Sequence, residues 1–126
     1  MLPNAIRLAS LVPILAGGAG ALSGAGFLGE PAGPATGSHL RYLSGLLLGL
    51  GLLAVWCAAD LKRRHAVFAA LSAVVVLGGL ARLGGLVLEG VPPVPHLLAL
   101  VMELGVVPAL WLWAVRASGT APRPPG

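Results

Sequence analysis

The sequence predicts an all-α fold: an integral membrane four-helix bundle, up-down-up-down, with both termini cytoplasmic. Three observations lead there. Hydrophobic residues make up 57% of the 126 residues and charged residues only 10%, whereas an average soluble domain is about one quarter charged. The apolar residues come in four runs of about 20, long enough for a helix to cross the hydrocarbon core, and not in the alternating patterns that bury one face of a soluble domain. Finally, six of the eight Lys and Arg residues fall on the segments that such a course leaves in the cytoplasm.

The spans are expected at Ala5–Leu28, Leu40–Ala59, Ala66–Leu88 and Pro95–Val115, within a single domain of residues 1–116. The breaks carry turn chemistry: "GEPAGPATGSH" after the first span, "DLKRRH" after the second and "EGVPPVP" after the third. The Pro- and Gly-rich end, residues 117–126, is expected to be a disordered tail. Arg7 ahead of an apolar stretch also fits a secretory signal peptide, but the run is long for one, so a retained helix is expected.

Orientation follows from Arg7, Lys62, Arg63, Arg64, Arg116 and Arg123, which share one side if both termini and the middle loop are cytoplasmic. Trp56, Trp111 and Trp113 then sit near the cytoplasmic ends of the second and fourth spans, where indoles favour the interface. Helices in lipid associate through small residues, and Gly20 with Gly24 and Gly45 with Gly49 form GxxxG pairs that predict a close crossing of spans 1 and 2. Pro13 and Pro108 are candidate kinks.

Several function classes find no support. The net charge of +4 is scattered apart from Lys62–Arg64, so no nucleic-acid partner is expected. Cys57 is a lone cysteine, readable as a small hydrophobe. "GAGFLG", Gly24–Gly29, matches GxGxxG, but no strand precedes it and a proline follows, which argues against a dinucleotide site. No nucleophile motif, zinc motif or phosphate loop is present, so neither an enzyme nor a cofactor is predicted.

The polar residues of the outer half carry the remaining signal. About the Pro92–Pro93 turn, Arg82 mirrors Glu103 and Glu89 mirrors His96, so each pair is expected at one depth in an antiparallel hairpin. His39 and Arg41 open span 2 on the same outer side, and Glu30 stands at the rim. The predicted binding residues are therefore Arg41, Arg82, Glu103, Glu89, His96 and His39. An ionised group in the bilayer costs about 2.5 to 3.5 kcal/mol even on lenient insertion scales, so these residues must face one another or water. The histidines and glutamates have metal-ligand chemistry, but two arginines beside them oppose a cation, and no metal is expected.

Two roles fit this cluster. One is a binding or transport-like module for a small amphipathic or anionic molecule at Arg41 and Arg82, with Glu103 setting their charge state. The other is a structural or accessory subunit, in a homo-oligomer or with a partner subunit, whose polar cluster is interhelical glue. The lipid bilayer is the partner in either case.

"HLRYLSGLLLGLG", "LGGLARLGGL" and "LVMELG" together carry a family likeness, most specifically through Arg41 with Tyr42 and Gly45, then Arg82, then Glu103. The chain resembles a small bacterial membrane family, domain of unknown function 4345, over most of its length. The resemblance implies a four-helix protein of the bacterial inner membrane and supplies no mechanism.

Overall fold

The computed structural model describes residues 1–24, 26 and 33–119. The end of the first expected span, Glu30, most of "GAGFLG", Arg123 and most of the expected tail lie outside the described residues. Within them the chain is all-helical, with α1 Leu2–Ser23, α2 Pro34–Ala59, α3 Leu61–Glu89, α4 Val94–Val101, a π segment Met102–Val106 and α5 Val107–Gly119. Four helical stretches are long and apolar enough to cross a membrane, the fourth running from Val94 to Ser118 through α4, the π segment and α5.

Three helices begin earlier than the apolar runs that announce them. α2 starts at Pro34, ahead of the expected Leu40, with Gly37 N–H donating to the Gly33 carbonyl at 3.0 Å or less (2.9 Å); proline's fixed φ suits a first helical turn. α3 starts at Leu61, directly after Asp60, and absorbs the expected "KRRH" loop. Lys and Arg are good helix formers, so the helix outruns its apolar part. At about 1.5 Å per residue its 29 residues span roughly 43 Å, more than the roughly 30 Å hydrocarbon core.

The chain falls into two compact units, Pro3–Ala59 and a second from Asp60 onward. In the first, α1 and α2 meet through small residues, though not all of the expected ones. A Cβ on Gly17 would lie 2.5 Å from the Leu48 nitrogen and 2.7 Å from the Ser44 carbonyl oxygen, and one on Gly51 would lie 2.7 Å from Ile14 Cγ1. Gly20 abuts the Ser44 hydroxyl. Gly45 and Gly49 have no atom within 4 Å of an added Cβ. The seam on α2 is thus Ser44, Leu48 and Gly51, spaced i, i+4, i+7, and each glycine of the expected GxxxG pair sits one residue, about 100°, round from it. Gly17, Gly20 and Gly24 supply the opposing stripe on α1.

In the second unit, α3 buries Phe68, Leu71, Ser72 and Gly79. That is one helical stripe, and it faces α5 and the π segment. The outward residues are large and apolar, among them Leu77, Leu80, Leu98 and Leu112. A soluble helix pair would present polar side chains there, so the exposure is that of lipid-facing helices. Trp56, Trp111 and Trp113 are exposed as well.

Candidate functional site

The fourth membrane-length stretch is interrupted because Pro108 has no N–H to offer the Leu104 carbonyl and its ring crowds that carbonyl. The backbone widens instead: Val107 N–H reaches the Met102 carbonyl, five residues back, and α5 restarts with Pro108 in its first turn, where proline is tolerated. The expected kink at Pro108 is therefore a π turn. It contains Glu103.

Gly79 seats this turn on α3. A Cβ at Gly79 would lie 2.8 Å from Glu103 Cβ and 2.9 Å from Leu104 Cδ2, so only glycine lets the two backbones approach this closely. Arg82 follows three residues later, about one turn along the same stripe. Its Nε donates to Glu103 Oε2 at 3.0 Å and its Nη2 to Oε1 at 3.2 Å. This is the bidentate fork that planar guanidinium and carboxylate groups favour. The expected Arg82–Glu103 pair is present, with side-chain exposures of 34% and 17%.

The other expected mirror pair is not formed. Arg82 Nη1 lies 3.0 Å from His96 Nδ1. A guanidinium only donates, so Nδ1 accepts and the ring proton sits on Nε2. Glu89 stands exposed at the end of α3, before Gly90 at φ 103°, and has no hydrogen-bond partner among the described residues. The reason is register. Gly79 facing Glu103 sets the midpoint of the hairpin near Val91 and not at Pro92–Pro93. Arg82 therefore lies between Glu103 and His96 along the hairpin and bridges them, leaving Glu89 beyond the set.

The first unit accounts for Arg41. Its Nη1 donates to the carbonyls of Ala21, at 3.0 Å, and Leu22, which belong to the last turn of α1. These carbonyls have no partner within their own helix, and a cation there also meets the negative end of the helix dipole. Gly24 closes α1 at φ 60°, donating its N–H to the Gly20 carbonyl, and a Cβ there would lie 3.3 Å from Arg41 Nε. Arg41 thus caps α1 across the α1–α2 pair. His39, close to the start of α2, is exposed and makes no hydrogen bond among the described residues. Among the described residues, no three of His, Cys, Asp and Glu gather as a metal-binding group.

Sequence reasoning found Arg82, Glu103 and His96 but missed Gly79 and the π turn. The available signals were a glycine three residues before a membrane arginine and a proline five residues after the opposing glutamate.

A family model described as Domain of unknown function (DUF4345) matches residues 2–114. The chain belongs to this family. The match agrees with the resemblance carried by Arg41, Tyr42, Gly45, Arg82 and Glu103, and it takes in Gly79, His96 and the whole π segment. No curated protein and no solved structure matches the chain.

Proposed function

We propose that the chain is an integral protein of the bacterial inner membrane and that Arg82, Glu103 and His96 form a polar binding centre for a small amphipathic molecule. One observation carries this reading: Arg82 is bonded at once to Glu103 and His96 within membrane-spanning helices, yet about a third of it stays accessible. Three of the guanidinium's five N–H groups are engaged, so two remain, and His96 Nε2–H is a further donor. Glu103 already balances the arginine charge. An anion would compete with it, whereas a neutral, hydrogen-bond-accepting head group would not. Of the two ligand classes predicted from sequence, the amphipathic molecule is therefore favoured over the anionic one. π turns occur often at functional sites, which adds support. The up-down-up-down course with both termini cytoplasmic is supported by Arg7, Lys62–Arg64 and Arg116.

The bidentate pairing favours a second reading, in which the three residues lock α3 to the π segment in a structural or accessory subunit. Native mass spectrometry of the protein from a mild detergent separates the two. A binding centre predicts a retained adduct of lipid-like mass on the wild type that is lost in His96→Leu. Bare protein, or the same adduct on both, overturns it.

A further inference from the structure

At the other end of α3 lies a cavity of about 210 Å³ between the first turns of α3 and the last turns of α5. Leu61, Phe68, Trp111 and Val115 give it apolar walls, and His65 and Ser118, both exposed, mark its opening. Leu61, His65 and Phe68 recur at i, i+4, i+7, so a single face of α3 supplies that side. His65 Nδ1–H donates to the Lys62 carbonyl at 3.0 Å, which leaves Nε2 as the outward ring atom. Lys62 and Arg63 are exposed in the same first turn, and Arg63 meets Asp60 only at 3.8 Å with 87% of its side chain accessible. Trp111 and Trp113 on α5 place this end at the height of an aromatic belt.

We infer that this groove is a binding site for an anionic phospholipid, with an acyl chain between Phe68 and Trp111 and the phosphate head group against Lys62 and Arg63. Charge decides the occupant. An apolar slot alone accepts any hydrocarbon, but one that opens beside two exposed cations at the interface favours a lipid carrying a negative head group. Each cation near the surface contributes about fivefold to such binding. The inference rests on the membrane reading but not on the Arg82 centre, which lies about 14 residues, or roughly 21 Å, further along α3 than Phe68.

The test uses the full chain reconstituted in nanodiscs of equal parts phosphatidylglycerol and phosphatidylcholine, then released for native mass spectrometry. The wild type should retain phosphatidylglycerol over phosphatidylcholine by roughly 20-fold. Lys62→Gln with Arg63→Gln should reduce that preference to near unity. Ser118→Trp, which fills the groove from an exposed position and leaves both cations in place, should abolish retention while His96 and Arg82 keep their own adduct. Equal retention of the two lipids by the wild type would overturn the proposal. So would undiminished retention by Ser118→Trp, since the cations would then be holding lipid without the groove.

Discussion

Replacing both members of the Arg82–Glu103 pair should harm the protein less than replacing either one. Removing one partner of a buried ion pair typically costs about 3 to 5 kcal/mol, because the other is left charged and unpaired. The two exposures, 34% for Arg82 and 17% for Glu103, admit some solvent screening and lower that figure unequally. Arg82→Met strands the more shielded carboxylate and should cost about 3 kcal/mol. Glu103→Leu strands an arginine that is more accessible and still bonded to His96, and should cost about 2 kcal/mol. Arg82→Met with Glu103→Leu leaves no unpaired charge, so the loss should fall to about 1 kcal/mol or less, a coupling of roughly 4 kcal/mol. Reversible unfolding in mixed micelles, followed by tryptophan fluorescence, reads all four corners of the cycle. Additive losses would refute the reasoning, because they would mean that the two side chains do not share their stabilisation.

Gly79→Ala should destabilise by about 1 to 3 kcal/mol, since its Cβ would meet Glu103 Cβ at 2.8 Å; the same unfolding assay checks it. Arg41→Ala should lose about 1 kcal/mol by uncapping the Ala21 and Leu22 carbonyls, with faster amide exchange in the last turn of α1 as its signature. Gly17→Ala should cost about 2 kcal/mol or more, because the Leu48 and Ser44 backbone cannot yield, whereas Gly45→Ala should stay within about 0.5 kcal/mol in thermal melts in detergent.

The helices were legible because lipid imposes a length and a composition on any span, and the four runs obey both. Helix ends were less so. Lys62–Arg64 read as loop because charge ends an apolar run, yet the same residues continue a helix well. The Arg82–Glu103 pair was legible from equal distance to a proline turn, an argument that tolerates a shift of one or two residues because arginine is long. His96 is short and does not tolerate it, so the same argument matched it wrongly to Glu89. The role of Arg41 depended on where α1 ends in three dimensions, and no spacing within α2 reports that. The helix contact likewise turned on which of several glycines share a face, and GxxxG spacing alone selected neighbours of the true seam.

The central claim, that Arg82, Glu103 and His96 hold a small amphipathic molecule, is tested most directly by the paired variant Arg82→Met, Glu103→Leu. Its predicted stability allows it to be purified folded and weighed by native mass spectrometry beside the wild type. The account predicts an adduct of lipid-like mass on the wild type and none on the folded variant. A folded variant that carries the same adduct would contradict it and leave the three residues as a lock between helices.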